Sequence, residues 1–274
     1  MLVANRGEIA VRIIRACREL GIETVAVFSD ADVEANHVRL ADRAVRLGPA
    51  PARESYLRGD AIVAAALATR SDAIHPGYGF LAERAAFALA TEAAGIVFVG
   101  PSSHTIAMLG DKVQARRSAA SADVPILPGT LEPFDVDAPD AIEAIRVAAQ
   151  QIGFPLLVKA AAGGGGRGMR RVLGPDDLPA ALVAGAAEAL AAFGDGSVYL
   201  EREIHPARHI EVQLLGDAAG TIVAIGERDC SLQRRHQKLL EEAPAPFLTE
   251  DERRGLHATA VRAAAAVGLV NAAT

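Results

Sequence analysis

Leu156–Met169 has the sequence LLVKAAAGGGGRGM, which combines a short apolar strand pattern, a lysine and four consecutive glycines. Glycine loses more conformational entropy on ordering than any other residue, so Gly163–Gly166 cannot lie inside a helix or a strand. Their backbone N–H groups can instead approach an anion closely, and Lys159 adds a positive charge at the strand end. The pattern of Arg170–Leu173 predicts a returning strand. We therefore predict a hairpin flap over the phosphates of a nucleotide.

Other glycine-rich patterns fit this segment less well. A Walker A loop requires Gly-Lys-Ser or Gly-Lys-Thr after its glycines, and neither occurs here. The dinucleotide-binding fingerprint opens a helix directly after its glycines, whereas a second strand is predicted here. A flexible linker is a further alternative, but a linker needs neither Lys159 nor a strand on each side.

The segment Lys159–Met169 closely resembles the flap that covers ATP in biotin carboxylases, which belong to the ATP-grasp superfamily. The resemblance implies that Lys159, Gly165, Gly166 and Met169 contact ATP. It also implies an α/β fold in which a Rossmann-like (pre-ATP-grasp) N-terminal domain precedes an ATP-grasp fold. Further motifs extend the resemblance over essentially all 274 residues.

The composition bounds the possible partners. The chain has a formal net charge of −6, which argues against a nucleic-acid-binding surface. No run of about 18 apolar residues without a charge occurs, so we expect no membrane span. The first residues lack a basic segment followed by a long apolar one, so we expect no signal peptide. Cys17 and Cys230 lie far apart and fit the reducing cytoplasm rather than a disulfide scaffold.

Short apolar strands alternate with helical patterns over residues 1–100. Such alternation predicts a parallel sheet with helices on both faces. We expect a Rossmann-like domain at 1–100, a helical connection at 101–126, a flap subdomain at 127–199 and the start of the C-terminal ATP-grasp lobe at 200–274. The resemblance implies that this ATP-grasp fold is incomplete. Thr249 and Glu252 form a capping box that predicts a helix to about Val267.

The nonapeptide His75–Glu83, HPGYGFLAE, follows a predicted strand. Its proline and two glycines predict a rigid, exposed turn at the end of the strand, where open α/β sheets place ligands. Tyr78 lies between the two glycines, with no neighbour to pack on. The nonapeptide resembles the biotin carboxylase signature, and the resemblance implies that Tyr78 and Gly79 lie beside the biotin ring.

Two shorter motifs acquire a role only through the resemblance. Gly110-Asp111-Lys112 interrupts a helical pattern, and Lys112 alone would be an ordinary surface lysine. The resemblance makes Lys112 a contact of the ATP phosphates. The strand Val198–Leu200 leads into Glu201–Ile204, where ATP-grasp proteins hold adenine. Glu201 would accept a hydrogen bond from the exocyclic amine, and Ile204 would cover the ring; an ordinary domain connection is as good an interpretation of this stretch alone.

A basic string, Glu227–Lys238, has the sequence ERDCSLQRRHQK and follows a predicted strand. Clustered positive charge in an acidic protein suits anion binding, although most charge runs are solvated surface. The string nearly matches one in biotin carboxylases. The match implies that His209, Gln233 and His236 contact the nucleotide and that Lys238 is catalytic, as a ligand of bicarbonate or carboxyphosphate. A nucleophilic role for Cys230 is not expected, because bicarbonate chemistry needs no covalent enzyme adduct.

The resemblance implies an ATP-dependent ligase. ATP and Mg²⁺ activate bicarbonate to carboxyphosphate, which carboxylates biotin on a carrier protein in the first half-reaction of an acyl-CoA carboxylase. The expected partners are the biotin carboxyl carrier protein or domain, the carboxyltransferase component and a second copy in a homodimer, whose contact helix would carry Arg15 and Glu19. The Mg²⁺ ligands of the family lie beyond residue 274, so no metal site is expected within this chain.

Two alternatives remain open. One is another ATP-grasp ligase, such as half of a carbamoyl-phosphate synthetase, which shares the acyl-phosphate intermediate and the glycine flap. The strings His75–Glu83 and Gln233–Lys238 argue against it. The other is a nucleotide-binding module without turnover.

Overall fold

The computed structural model describes residues 1–161, 169–234 and 237–274. Gly165, Gly166 and His236 therefore lie outside the described residues. The described chain divides into two compact units, one formed by Met1–Ala107 with Val270–Ala272 and the other by Met108–Leu269 with Ala273–Thr274. Within these residues, no helix has the length and apolar character needed to cross a lipid bilayer.

The first unit is built around a parallel sheet. Its elements are β1 (Leu2–Val3), α1 (Gly7–Glu19), β2 (Val25–Ser29), α2 (Asn36–Leu40), β3 (Arg43–Gly48), α3 (Gly59–Ala68), β4 (Ala73–His75), α4 (Ala85–Ala93) and β5 (Val97–Phe98). The strand order is β3-β2-β1-β4-β5, and all four pairings are parallel. The predicted parallel α/β sheet is confirmed. The first strand of the chain is therefore the central strand of the sheet.

The helices of this unit bury apolar residues against the sheet. Ile13, Ile14 and Cys17 of α1 are buried in a cluster that contains Val3 of the central strand. A larger cluster includes Val25 and Val27 of β2, together with residues of α3 and α4. Apolar residues of the helices thus pack against a sheet whose central strands, β1 and β2, are largely buried, as is typical of parallel sheets.

The chain after α5 (Ser103–Gly110) forms two further sheets. Its elements are α6 (Lys112–Ser121), α7 (Ala141–Ile152), β6 (Leu156–Ala160), β7 (Arg170–Val172), α8 (Leu178–Phe193), β8 (Val198–Arg202), β9 (Ile210–Gly216), β10 (Ile222–Arg234), β11 (Gln237–Glu242), α9 (Glu250–Ala266) and β12 (Asn271–Ala273). The orders are β7-β6-β8 and β11-β10-β9-β12. The antiparallel pair of β6 and β7 confirms the predicted hairpin on either side of the glycines.

Two strands extend beyond their predicted ends. Glu201 lies within β8, where it pairs with Leu157, rather than in a connection after the strand. The described residues of the basic string lie on β10 and β11 themselves, rather than after a strand. Buried acidic residues concealed this second strand: Glu227 and Asp229 occupy inward positions of β10 that an apolar pattern would normally fill.

Local signals of the sequence fix the helix ends. Asp111 is the N-cap of α6, and its carboxylate accepts hydrogen bonds from the backbone N–H groups of Val113 and Gln114 at 2.9 and 3.0 Å. At the start of α9, Thr249 and Glu252 form the predicted capping box. Both caps satisfy backbone donors that have no partner within the helix.

Candidate functional site

The flap strand and its neighbour bring Lys159 to Glu201. In the antiparallel pair of β6 and β8, Lys159 lies opposite Tyr199, and Leu157 lies opposite Glu201. Lys159 and Glu201 are thus diagonal neighbours on one face of the sheet, within reach of long side chains. Lys159 Nζ forms an ion pair with Glu201 Oε1, and the side chains are 22% and 11% exposed. The sheet register alone brings together two residues predicted to bind opposite ends of ATP.

Helix α6 adds two more positive groups beside this pair. Arg116 donates from Nη1 to Glu201 Oε2 at 2.8 Å and from Nη2 to the Leu127 carbonyl at 2.6 Å. Lys112 donates from Nζ to the Ala160 carbonyl at 3.3 Å. Burial lowers the pKa of Lys112, and the positive charge of Lys159 lowers it further, while Glu201 opposes the shift. Three cations therefore surround one carboxylate, a balance that attracts a polyanion.

Arg116 is the functional side chain that sequence reasoning missed. One signal was available, since Lys112 and Arg116 stand four residues apart and so share a face of α6. Gly129 also marks this position, but the reason that a glycine is needed there is seen only in the folded structure. A Cβ atom there would lie 2.5 Å from the Leu200 carbonyl oxygen and 2.8 Å from Arg116 Nη2. Glycine thus leaves the space that the guanidinium occupies.

The remaining predicted contacts of the flap and the adenine pocket are less defined. Met169 is half-buried next to β7. Ile204 lies two residues beyond β8 and is 51% exposed, which leaves its apolar side chain open to a ligand. Gly165 and Gly166 lie outside the described residues. The roles of all four residues stay predictions.

His209 and Gln233 lie together on the second sheet. Gln233 Nε2 lies 2.7 Å from His209 Nδ1 and also donates to the Cys230 carbonyl at 2.8 Å. This contact links the His209 ring to the Gln233 amide, which is itself held by the Cys230 carbonyl. The structure thus brings together two of the three residues predicted to contact the nucleotide from this region; His236, the third, lies outside the described residues.

Lys238 belongs to a separate ionic cluster on the same sheet. Its Nζ forms an ion pair with Glu211 Oε2, while Arg228 Nη2 lies 2.5 Å from Glu211 Oε1. Burial opposes ionisation of Glu211, but hydrogen bonds from Lys238 and Arg228 outweigh burial and lower its pKa. The hydrogen bond to Glu211 is the main reason that the pKa of Lys238 is raised. Lys238 therefore stays positively charged and partly exposed, as an anion ligand must.

The described residues contain one group of side chains spaced for a metal ion: Glu211, Cys230 and Glu241, whose ligand atoms lie within 4.8 Å of one another. This group does not suit Mg²⁺, which prefers oxygen ligands, because one donor is a thiol and Glu211 is already paired with two cations. Burial raises the pKa of Cys230, which disfavours the thiolate and agrees with a structural role for this residue.

In the first unit, the turn after β4 presents Tyr78. Its side chain is 61% exposed, and its hydroxyl donates to Glu8. Gly77 and Gly79 have φ angles of +67° and +66°, in the left-handed region that favours glycine. The nonapeptide therefore forms the exposed turn that its sequence predicts, while the placement of Tyr78 and Gly79 beside biotin stays a prediction.

Asn5 holds this turn in place, although sequence reasoning gave it no role beyond a turn after the first strand. Its side-chain amide is buried and donates to the carbonyls of Pro76 and Tyr78, both at 2.8 Å. Its Oδ1 accepts a hydrogen bond from the backbone N–H of Arg6 at 2.8 Å. One neutral side chain therefore fixes both sides of Gly77.

Two family models match the chain. The model described as "Carbamoyl-phosphate synthase L chain, ATP binding domain" matches residues 111–274, and "Biotin carboxylase, N-terminal domain" matches residues 1–106. Over all 274 residues, the chain is 50% identical to the biotin carboxylases of Allochromatium vinosum and Pseudomonas aeruginosa. It is 52% identical to the mitochondrial methylcrotonoyl-CoA carboxylase subunit alpha of Oryza sativa. The chain spans 60% of the length of each bacterial relative and 36% of the plant subunit.

Solved structures give the same result. A biotin carboxylase–βγ-ATP complex from Campylobacter jejuni matches with a TM-score of 0.94 and 46% identity, covering 99% of this chain and 60% of that one. The biotin carboxylase domain dimer of 2-oxoglutarate carboxylase from Hydrogenobacter thermophilus, with MgADP, ADP and bicarbonate, matches with a TM-score of 0.92 and 44% identity, covering 99% of this chain and 58% of that one. With a parallel α/β unit followed by an ATP-grasp unit that gathers cations around Glu201, the chain belongs to the biotin carboxylase family.

Proposed function

We propose that the protein to which this chain belongs carboxylates biotin on a carrier protein, using ATP and bicarbonate, with carboxyphosphate as the intermediate. Relatives along the whole chain are named biotin carboxylase or methylcrotonoyl-CoA carboxylase subunit alpha, which supports this reaction. The observation that carries the proposal is the cluster of Lys112, Arg116 and Lys159 around Glu201, because it supplies positive charge where the flap meets β8.

The phosphates of ATP would bind at this cluster. Lys159 contacts them from the flap strand and Lys112 from α6, with Gly165, Gly166 and Met169 closing over them. Amines fixed in a partly buried site stabilise the charge that develops on a transferring phosphoryl group more than they would in water. The closed flap also excludes water, which would otherwise hydrolyse the carboxyphosphate.

The adenine and the ribose side of the nucleotide would lie between β8 and the second sheet of the same unit. Glu201 accepts from the adenine amine; each carboxylate oxygen has two lone pairs, so its ion pairs leave acceptor capacity. Ile204 covers the ring. His209, Gln233 and His236 contact the nucleotide, and the hydrogen bond between His209 and Gln233 supports their acting together.

Bicarbonate would bind at Lys238. A bicarbonate oxygen attacks the γ-phosphorus and ADP leaves. The carboxyl group of the resulting carboxyphosphate then passes to N1′ of biotin, and the released phosphate takes up the N1′ proton. Lys238 holds the anion by its charge, while Glu211 and Arg228 fix the position of Nζ. Tyr78 and Gly79 would lie beside the biotin ring. The described residues offer no ligand set that fits Mg²⁺.

The assembly follows from the same proposal. The carrier protein or domain delivers biotin, a carboxyltransferase component receives the carboxyl group, and two copies of the protein form a homodimer. A cytoplasmic location and a role in fatty acid metabolism belong to the proposal as well. The name of the model that matches residues 111–274 keeps another ATP-grasp ligase as the second candidate.

Incorporation of labelled bicarbonate into free biotin tests the function. We compare this chain with the polypeptide extended to the length of its relatives, and we follow ATP cleavage with and without biotin. The extended polypeptide should form carboxybiotin and cleave ATP in a biotin-dependent manner, while this chain should bind ATP weakly and form none. ATP cleavage that ignores biotin would instead support another ATP-grasp ligase. Appreciable turnover by the 274-residue chain would show that the catalytic groups are misassigned.

A further inference from the structure

Arg116 and Lys159 share Glu201 unequally. Lys159 is 22% exposed, and in the described part of the chain its Nζ has one recorded hydrogen bond, to Glu201. Arg116 is 10% exposed and bonds both Glu201 and the Leu127 carbonyl. Lys159 can therefore leave the carboxylate by rotating its side chain, whereas the guanidinium is fixed at two points.

The difference between the two partners of Glu201 is important because Glu201 is nearly buried. Glu201 is 11% exposed, and a carboxylate that loses its last partner in such surroundings carries a large desolvation penalty. If Lys159 were its only partner, moving Lys159 to a phosphate would strand that charge. Arg116 prevents this outcome, because it remains on Glu201 Oε2 while Oε1 is vacated.

The packing around Arg116 shows that burying the guanidinium costs free energy. Its buried Nε has no hydrogen-bond partner within the described residues, and the backbone beside it can accommodate only a glycine at position 129. A core position that needed only to be filled would suit an apolar side chain better.

We propose that Arg116 is a positioning residue that acts through Glu201: it is the permanent counter-ion that releases Lys159 to bind phosphate. This inference rests on the proposed function for the phosphate role of Lys159. Lys112 makes the release of Lys159 easier. The positive charges of Lys112 and Lys159 repel each other, and this repulsion favours movement of Lys159 to an incoming anion.

The test uses the reactivity of lysine amines, which needs no nucleotide. The sequence contains only three lysines, Lys112, Lys159 and Lys238, so labelling with an amine reagent followed by mass spectrometry resolves each one. In Arg116→Met, Lys159 should be bound more tightly by Glu201 and should react about threefold to tenfold more slowly, the range expected for a charge-assisted hydrogen bond. Arg117→Met is the matched control, because Arg117 is the next residue on α6 and is paired with Glu132 at the surface.

A second substitution separates positioning from general damage. In Arg116→Met with Glu201→Gln, the carboxylate is gone, and Lys159 should react at least as fast as in the unaltered chain. A merely structural role for Arg116 would not be rescued by changing Glu201. Arg116→Lys, which keeps a cation near Glu201, should stay close to the unaltered chain. Should Arg116→Met fail to fold, Arg116→Gln replaces it, because Gln can still donate to Leu127.

ATP binding, measured by calorimetry at millimolar nucleotide, provides the second readout. Arg116→Met should weaken ATP binding about threefold to tenfold, and Arg117→Met should not change it. Unchanged labelling of Lys159 in Arg116→Met, or labelling that Glu201→Gln does not restore, overturns the inference. If the labelling results hold but the unaltered chain and its extended form both fail to bind ATP, the proposed function fails, while the control of Lys159 by Arg116 stands.

Discussion

The turn that carries Tyr78 and the cluster around Glu201 are held in opposite ways. Asn5 fixes the turn with two hydrogen bonds from a neutral, buried amide. In the second unit, ion pairs connect Glu201 to Arg116 and Lys159. Neutral hydrogen bonds of this kind respond little to salt or pH, whereas ion pairs can be exchanged for an anionic ligand. The turn is therefore held by contacts that salt and pH leave intact, whereas the pairs around Glu201 can be exchanged.

The largest effect is expected when a charge replaces the neutral amide of Asn5. Asn5→Asp replaces two donated hydrogen bonds with a buried carboxylate facing two carbonyl oxygens. We expect the free energy of unfolding of the first unit to fall by about 3 kcal/mol. Urea unfolding followed by circular dichroism measures this change. Asn36→Asp, at an exposed position, should change stability by less than about 0.5 kcal/mol; equal effects of the two substitutions would remove Asn5 from its role.

The ionic site should lose function before it loses structure. Lys159→Ala should weaken ATP binding about tenfold, or ~1.4 kcal/mol, if its amine contacts phosphate as proposed. The fold should persist, since Arg116 continues to pair with Glu201. Calorimetric titration with ATP, with circular dichroism as the folding control, provides the measurement. Unchanged affinity would place Lys159 outside the phosphate site.

A second lysine sharpens the distinction between the two ionic clusters. In the extended polypeptide, Lys238→Ala should raise the KM for bicarbonate about tenfold and that for ATP by much less, because Lys238 is bound to Glu211 rather than to the Glu201 cluster. Steady-state kinetics with each substrate varied would show the difference. A defect confined to ATP would contradict the assignment.

The smallest expected effect concerns pH. Burial and the charge of Lys159 lower the pKa of Lys112, so the folded chain binds a proton there less readily than the unfolded chain does. The protonated amine therefore reduces stability below the lowered pKa, and this loss is relieved as pH rises from that value toward the ordinary value of 10.5. Lys112→Met should thus stabilise the chain by less than about 1 kcal/mol at pH 7, and this advantage should shrink as pH rises. A gain that is constant with pH would argue against a perturbed lysine.

What could be predicted from sequence depended on the distance between partners along the chain. The capping box at Thr249 connects neighbouring residues, and it was predicted. The flap hairpin followed from apolar strands on either side of the glycines. The parallel sheet followed from strand–helix alternation.

Contacts between distant residues escaped prediction. Arg116 meets Glu201 across 85 positions, and Asn5 meets Pro76 across 71, so no local pattern connects either pair. The full length of β10 was also missed, because buried Glu227 interrupts the alternation. Its carboxylate is neutralised by Arg253 Nε at 2.8 Å and lies 2.7 Å from His257 Nε2, both on α9, which sequence reasoning could not pair with it.

The central position of β1 has a consequence for synthesis on the ribosome. Leu2 and Val3 emerge before the strands that flank them, and one edge of β1 can pair with β2 as soon as Val25 and Ala26 follow. The other edge must wait for β4, and the Asn5 amide remains in water until Pro76 and Tyr78 have been made. A translational pause between Ser29 and Ala73 would therefore leave an apolar strand edge open to other chains, whereas a pause after Phe98 would not.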